Sequence, residues 1–536
     1  MKLIIKVVFL GLVCTMAWAQ FPPQLKNVVV IVQENRTPDN LFHFLTPACP
    51  IPAGATGYAA CTPSPVTSSC YDISPCGLSN QSGTVVPIEL IGAPLAGSGD
   101  PNHNHSAFEK MCDPDSNFQC RNDGGWQTAA NNLAYSYVQN PTVTNYDGSA
   151  GHLLDPYLTF AKQFGWANFM FQTNQGPSYP AHQFLFTGTS ARSNADDVHS
   201  IFVSENPGGS IQAGCLLPAS TGSASVWDSV IQPANPATTN CTLWDGNSVQ
   251  ECQIKNTLSS KYVGTFCGNP NNMANTVLDP NGISWKYYGP TTTDSTEALW
   301  TAPNAIQSIC DPQPDGSGGL KCAGAEWAAH VDLLNYGTDI LRDVANCSLA
   351  RVSWVMPDGA WSDHAGPNQP WGPSWVAAVI NAIGNNPTCP AGTPDAGQKY
   401  WNDTVIVVTW DDWGGWSDNQ PAYLLGGLPC VYTTPPTRCP GDYQYGFRVP
   451  MLVVSAYTPA GFIHNVTHDF GSILRMIEGI EQVKEGIMLN ADVRSSTDLH
   501  AFFTLKTARP YKTVPALEDA SFFLTYQGPA TAPDND

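Results

Sequence analysis

The segment NVVVIVQENRTPD, residues 27–39, decides the fold class. Its five consecutive β-branched residues are followed by polar residues and a proline, which is typical of a buried strand in a parallel sheet. In open α/β sheets, ligands bind outside the carboxyl ends of the strands, so Glu34 and Asn35 lie where chemistry is usual. Carboxylate and amide oxygens suit a cation that binds oxygen ligands. The alternative is a strand that simply runs into a polar, capped turn.

Apolar segments with the spacing of strands or helices recur along the chain. Strands are expected at 166–171, 283–288, 351–356, 404–410 and 449–455, and helices at 153–164, 329–344, 375–383 and 470–480. This alternation predicts an α/β protein with a mostly parallel central sheet and helices on both faces, a three-layer α/β/α sandwich. The length fits one large domain or two, and we expect a single domain over residues 20–536.

The first residues have the features of a secretory signal peptide. Lys2 and Lys6 stand at the start of a short apolar run that ends in Ala17-Trp18-Ala19, so residues 1–19 are expected to be removed. No other apolar run is long enough to span a bilayer, and we expect a secreted or periplasmic protein without a stable membrane anchor. The formal net charge of -21 argues against nucleic acid as a partner.

The cysteines predict a disulfide-bonded protein. One of the 17 cysteines, Cys14, belongs to the signal segment, and the remainder is an even number in an oxidising compartment. We expect at least five disulfides, most of them in loops, and loop insertions near 46–99 and 206–282 that lack helical periodicity. Spacing does not fix the connectivity; close pairs that would close loops are Cys61/Cys70, Cys112/Cys120, Cys310/Cys322 and Cys430/Cys439.

Two carboxylates follow the segment with the strongest strand pattern. Residues 404–410 run directly into Asp411 and Asp412, and Gly414 and Gly415 come next. Adjacent carboxylates at the end of a strand repel each other unless a cation or a proton lies between them. Because the glycines allow close approach of the backbone, the pattern favours a metal site over a plain acidic turn.

Ser178 lies in the segment GPSYPAH, residues 176–182. Pro180 stands where the first turn of a helix tolerates proline, and an apolar run follows, which places Ser178 at a helix N-terminus. The amides and the dipole of a helix N-terminus favour anions such as phosphate, although a lone serine there is most often only an N-cap. His103 and His105 stand two apart in a loop, where histidines are more often exposed or packed than catalytic.

Taken in order, the motifs resemble the secreted bacterial phosphoesterase family that contains phospholipases C and a group of acid phosphatases. That family has an alkaline-phosphatase-like fold, and the resemblance runs from about Asn27 to about Glu478. His364 stands where the family has a histidine after a strand. The similar stretches are QENRTPD at 33–39, DPNH at 100–103, GPSYP at 176–180, GISWKYY at 282–288, VSWVMP at 352–357, TWDDWGGWSD at 409–418, GFRVP at 446–450 and SILRMIE at 472–478.

The resemblance implies a metal-dependent phosphoesterase that acts on a phosphomonoester or a phospholipid headgroup through a phosphoenzyme. The implied nucleophile is Ser178, and the implied catalytic histidines are His103 and His364. The residues implied to bind one divalent metal ion are Glu34, Asn35, Asp411 and Asp412. The residues expected to contact the substrate are His105, His182 and Asp418.

The chain also departs from the family pattern around the expected pocket. Ala181-His182 stands in place of the usual Asn-Arg, Asn419 in place of a histidine, and Phe470 in place of the histidine of an Asp-His pair. These differences bear on the substrate more than on the chemistry. The alternative from another class is a catalytically inactive secreted binding protein on the same fold. A sulfatase is disfavoured, because the Cys-x-Pro-x-Arg motif is absent at the nucleophile.

Overall fold

Strand β1, Asn27–Gln33, lies at the centre of the main sheet and is buried along its whole length. It pairs in parallel with β5, Val352–Val355, on one side and with β6, Thr404–Trp410, on the other. Val28 is level with Val352 and with Val405. A strand with neighbours on both edges and helices on both faces favours β-branched residues along its length, which explains the apolar run.

The computed structural model describes residues 21–113, 120–191, 271–290, 299–316, 318–366, 369–425, 443–488 and 490–531, with short pieces between 192 and 270. The other strands of the main sheet are β2 Gly165–Phe171, β3 Trp285–Tyr288, β4 Val331–Asp332, β7 Met451–Ser455 and β8 Phe462–Asp469. The order of the eight strands is β4-β3-β5-β1-β6-β7-β2-β8. Only β7 runs antiparallel to its neighbours, so the predicted mostly parallel sheet is confirmed.

Helices cover both faces of this sheet. The longer ones are α1 His105–Cys112, α2 Asp155–Gln163, α3 Ser178–Thr187, α4 Asp339–Ala345, α5 Gly372–Asn385 and α6 Phe470–Ile480. Trp410 is level with Gln33 and Trp354 with Val30, so the two tryptophans point to opposite faces. The ring of Trp410 packs on Tyr157 of α2, and that of Trp354 on Phe186 of α3. The predicted three-layer α/β/α arrangement is confirmed.

The structure also contains shorter helices and strands outside the main sheet. The shorter α-helices in the described part of the chain are Pro38–Leu41, Ala325–His330, Tyr400–Asp403, Ala491–Arg494 and Ala520–Thr525. A small antiparallel sheet contains Ile201–Val203, Ser223–Asp228, Gln253–Lys255 and Thr257–Val263. Two-stranded pairings are Cys76–Ser79 with Val86–Glu89, Ile91–Ala93 with Ser136–Val138, Thr142–Thr144 with Ala150–His152, Asp311–Pro314 with Leu320–Ala323, and Leu424–Leu425 with Tyr443–Gln444.

One helix prediction was wrong. The expected helix at 329–344 is split into the end of the helix Ala325–His330, strand β4, a turn, and most of α4. Asn335 and Tyr336 adopt left-handed backbone angles, with φ of 50° and 62°. A helix cannot continue through residues in that conformation, so the apolar spacing across them does not reflect one helix.

The structure contains six disulfides in its described part: Cys49–Cys70, Cys61–Cys76, Cys112–Cys120, Cys215–Cys267, Cys310–Cys322 and Cys347–Cys389. The expectation of at least five is confirmed, as are the pairs Cys112–Cys120 and Cys310–Cys322. The pair Cys61/Cys70 was wrong. Cys49 donates its backbone N–H to the Tyr71 carbonyl, which brings Cys49 beside Cys70. The pair Cys430/Cys439 lies outside the described residues, as does the expected signal peptide, residues 1–19.

Among the described residues, no helix has the length and apolar character needed to cross a bilayer. The insertion at 46–99 was expected to lack helical periodicity, and the structure adds short strands to it: the pair Cys76–Ser79 and Val86–Glu89 and the strand Ile91–Ala93. These strands are three or four residues long and carry no long apolar run. Their pattern is therefore too short to be predicted from the sequence.

Candidate active site

The carboxyl ends of β1 and β6 bring four polar side chains together. Glu34 and Asn35 follow β1, Asp411 and Asp412 follow β6, and all four are fully buried. The Asn35 backbone N–H donates to Asp411 Oδ1 at 3.0 Å, and the Asp411 N–H donates to the Gln33 carbonyl at 3.0 Å. The strands are parallel neighbours, so side chains far apart in sequence meet at one edge of the sheet.

Two glycines permit this close approach. Gly414 and Gly415 have φ of 61° and 71°, in the left-handed region that favours glycine. A Cβ atom at Gly414 would lie 2.3 Å from the Asn35 carbonyl oxygen, and one at Gly415 would lie 2.7 Å from Pro101 Cβ. The Gly414 N–H donates to Asp412 Oδ1 at 2.7 Å. The glycine turn thus lets this loop pack against both the end of β1 and the loop that contains His103.

Helix α3 supplies Ser178 and, one turn later, His182. Ser178 is the first residue of the helix, and its hydroxyl donates to Glu34 Oε2 at 3.4 Å. His182 Nε2 lies 3.1 Å from Glu34 Oε1 and 3.6 Å from Asp411 Oδ2. Donor atoms of Glu34, His182 and Asp411 all lie within 4.8 Å of one another. The residue expected only to contact substrate is therefore part of the carboxylate cluster itself.

His103 is bound to this cluster through Asn35. The Asn35 Nδ2 amide donates to His103 Nε2 at 2.8 Å, which leaves the proton on His103 Nδ1 to donate to the Pro101 carbonyl at 2.9 Å. With its nitrogen held by His103, Asn35 presents its Oδ1 as the remaining amide atom. That oxygen is buried and has no hydrogen-bond partner in the described part of the chain.

An unexpected residue, Trp300, contacts both His182 and His364. The indole ring of Trp300 stacks on His182 with ring centroids 6.2 Å apart and on His364 with centroids 6.5 Å apart. The His364 ring is also 5.6 Å from that of His103, and its Nδ1 hydrogen-bonds the Ala365 carbonyl at 2.7 Å. No sequence motif marks Trp300, because it belongs to no recognised spacing, and only the fold brings it to the site.

His105 and Asp418 have different surroundings from those expected. His105 Nδ1 hydrogen-bonds the Gln175 carbonyl at 2.7 Å and so supports the loop that precedes Ser178. Asp418 Oδ2 accepts from Arg448 Nη2 at 3.0 Å, and its Oδ1 lies 2.9 Å from Arg448 Nε. Both Asp418 oxygens thus contact the buried guanidinium. We therefore assign Asp418 a structural role as a partner of Arg448, and not a contact with substrate.

Burial controls the charges of the cluster. It raises the pKa of Asp411 to about 7, with the Glu34 charge adding to the effect, and raises the pKa of Glu34 and of Asp412 well above the usual range. Burial lowers the pKa of His182 to about 4, so its imidazole is neutral at neutral pH. Within the described part of the chain, Asp411 Oδ2 and Asp412 Oδ2 have no hydrogen-bond partner. Converging carboxylates with unpartnered oxygens, and with no Arg or Lys beside them among the described residues, fit a divalent cation.

Comparisons with known proteins identify relatives of the chain. The chain is 34% identical over 154 residues to a non-hemolytic phospholipase C of Burkholderia pseudomallei, a match covering 26% of this chain and 20% of the relative. It is 28% identical over 211 residues to phospholipase C B of Mycobacterium tuberculosis, covering 37% of each chain. The chain thus spans well under half the length of these curated relatives.

Among solved structures, a protein in the alkaline phosphatase superfamily from Vibrio parahaemolyticus aligns over 64% of each chain, with a TM-score of 0.29 and 9% identity. A similarity at that level adds nothing to the argument from the fold itself. The profile of the Phosphoesterase family, in contrast, matches residues 25–484, which include every residue of the site described above. The chain therefore belongs to the Phosphoesterase family.

Proposed function

We propose that the protein is a secreted, metal-dependent phosphoesterase in which Ser178 is the nucleophile. The observation that carries the proposal is the convergence of the Ser178 hydroxyl with the Glu34–His182–Asp411 cluster at the carboxyl ends of β1 and β6. Membership of the Phosphoesterase family supports it. So do the relatives named phospholipase C, although their matches cover only part of each chain.

The side chains and backbone amides of the site have separate roles in phosphoryl transfer. Ser178 lies at the N-terminus of the ten-residue helix α3, whose amides and dipole favour a phosphate group. Its hydroxyl donates to Glu34, so the serine proton has an acceptor as the Oγ atom attacks phosphorus. The P–O bond to the leaving alcohol breaks in the same step, and water later cleaves the phosphoserine.

The residues that would hold the cation are Glu34, Asn35, Asp411 and Asp412. When bound there, a divalent cation would lower the pKa of the serine hydroxyl and polarise the phosphoryl group. The amide of Asn35 is oriented by His103, so we assign His103 a positioning role. His364 remains the candidate for protonating the leaving oxygen, since its ring lies near that of His103 and contacts Trp300, which also contacts His182.

A hydrolysis panel tests the proposal. The purified protein would be assayed with p-nitrophenyl phosphate and with p-nitrophenyl phosphorylcholine, each with chelator and with added divalent cations. We expect hydrolysis of at least one ester, dependent on the cation. The preferred ester separates a phosphomonoesterase from a phospholipase C-type enzyme. Hydrolysis of neither ester with any cation would contradict the proposal and favour a binding protein on this fold.

A further inference from the structure

His182 occupies the position in the site where the chain departs from the family pattern. It lies four residues after Ser178 on α3, so both side chains project from one face of the helix toward Glu34. Its Nε2 atom is closer to Glu34 Oε1, at 3.1 Å, than the Ser178 hydroxyl is to Glu34 Oε2, at 3.4 Å. Its side chain is fully buried. The imidazole therefore faces the cluster rather than the outside of the pocket.

The other contacts of His182 leave Nε2 as its functional atom. Among the described residues, Nδ1 has no hydrogen-bond partner, and the ring is held by stacking against Trp300. Nε2 faces two carboxylates, Glu34 and Asp411, and can either donate a hydrogen bond to them or share a cation with them. An imidazole nitrogen that faces two carboxylate oxygens supplies the third corner of a compact donor set.

We propose that His182 is a direct ligand of the bound cation through Nε2, which makes the site a mixed nitrogen–oxygen site. The proposal rests on the metal dependence of the proposed function and adds the identity of one ligand and the class of ion. Oxygen-only sites suit Mg²⁺ and Ca²⁺, whereas imidazole favours ions such as Co²⁺ and Zn²⁺. The chain should therefore prefer a transition-metal ion to an alkaline-earth ion.

The substitution His182→Gln distinguishes two roles of His182: ligand of the cation, or donor of a hydrogen bond to Glu34. The glutamine amide can still donate to Glu34, but it cannot supply an imidazole nitrogen. The described residues contain one other group of three donors at this spacing, Asp279, Glu326 and His330, and its two carboxylates are exposed. His330→Gln is therefore a matched control for ions that bind elsewhere on the protein.

The measurement is binding of Co²⁺, Zn²⁺, Mg²⁺ and Ca²⁺ to the chelator-stripped full chain by calorimetry, with the visible absorption of bound Co²⁺ as a second readout. For His182→Gln we expect Co²⁺ affinity to fall by at least about 100-fold, since losing only an outer-shell partner costs 10–100-fold. The Co²⁺ spectrum should change, Mg²⁺ affinity should hardly change, and His330→Gln should match the wild type. His182→Asn serves as a second variant if glutamine disturbs folding, which melting without metal would show.

Two results would overturn the inference. One is wild-type Co²⁺ affinity and spectrum in His182→Gln, and the other is a wild-type protein that binds Mg²⁺ more tightly than Co²⁺ or Zn²⁺. A failure of the proposed function can be distinguished from these two results. If Co²⁺ binds in a His182-dependent way but neither ester is hydrolysed, the ligand assignment stands and the enzymatic proposal falls.

Discussion

Two clusters of three buried carboxylates lie close to each other in this protein and differ in what balances their charge. Asp39, Asp72 and Asp418 surround the guanidinium of Arg448, which donates to Asp72 and Asp418 at 3.0 Å each. Glu34, Asp411 and Asp412 have no buried Arg or Lys beside them in the described structure, and their basic neighbours are two histidines, His103 and the neutral His182. The first cluster contains an arginine, and among the described residues the second has only histidines beside it.

The difference separates a structural site from a functional one. Arg448 also donates to Asn419 Oδ1 at 2.6 Å, and backbone N–H groups of Ser74 and Asn419 donate to Asp39, so the first cluster is well provided with partners. In the second, Asp411 Oδ2 and Asp412 Oδ2 accept no hydrogen bond from the residues that the structure describes. Buried carboxylates in that state are costly unless a proton or a metal ion is bound. We therefore expect substitutions in the two clusters to have different consequences.

The largest effect is expected from Ser178→Ala. Hydrolysis should fall by several orders of magnitude, because no phosphoenzyme can form, as when nucleophiles are removed from other hydrolases. The fold should hardly change, since the hydroxyl makes one long hydrogen bond, worth about 1 kcal/mol or less. Steady-state rates on the preferred ester, with thermal melting as the control for folding, check both. A variant with wild-type rates would place the nucleophile elsewhere.

Arg448→Met is expected to destabilise the fold itself. Three buried carboxylates would lose their cation, which costs about 3–5 kcal/mol when one partner of a buried ion pair is removed. Chemical denaturation of wild type and variant measures the change. Added divalent cation should not restore the lost stability, and restoration to the wild-type value would show that this cluster also accepts a metal ion.

The metal-free protein should lose stability as the pH rises. The folded pKa of Asp411, about 7, is raised above its usual value of 3.8, so its contribution is complete below about pH 4 and is lost as the pH rises through 7. Between pH 5 and 7 the loss is on the order of 2–3 kcal/mol. Denaturation in chelator across this range measures it.

Other buried carboxyl groups, such as Glu478, also have a raised pKa, so a matched control is needed. Asp411→Asn removes one titrating group and should flatten the pH dependence in chelator. Divalent cation should do the same in the wild type, because the deprotonated cluster is then paired. An identical pH dependence in wild type and Asp411→Asn would count against a raised pKa at Asp411.

The smallest expected effects are those of the two aspartate-to-asparagine changes, and they have opposite signs. Asp418→Asn weakens two contacts to Arg448 and should destabilise the protein by about 1–3 kcal/mol. Asp411→Asn relieves repulsion with Glu34 and should leave the metal-free protein as stable as the wild type or slightly more stable. Denaturation midpoints in chelator compare the two. Equal losses in both variants would contradict the distinction between the clusters.

The sequence predicted those features that depend on short, local patterns. The β-branched runs of β1 and β6 predicted the parallel sheet, and the polar residues after them predicted its functional edge. Long-range contacts were not predictable in this way. The contact of Arg448 with Asp418 spans thirty positions, and Trp300 reaches His182 only because the fold places them together. His182 was expected to contact substrate. Its place four residues after Ser178 fixes which face of the helix it shares with the serine, but not its distance from Glu34.

Diffraction from crystals of the protein soaked in Co²⁺, recorded at the cobalt absorption edge, is the most direct measurement of where the cation binds. The anomalous difference map should show a peak in coordination contact with Glu34 and Asp411, beside the Ser178 hydroxyl. No peak should appear at the Arg448 cluster, where the guanidinium already occupies the centre. The assignment would be contradicted by a map that shows no peak between Glu34 and Asp411, recorded from protein that hydrolyses phosphate esters. In such a map the cobalt peak would lie only at Arg448, or only at the group of Asp279, Glu326 and His330.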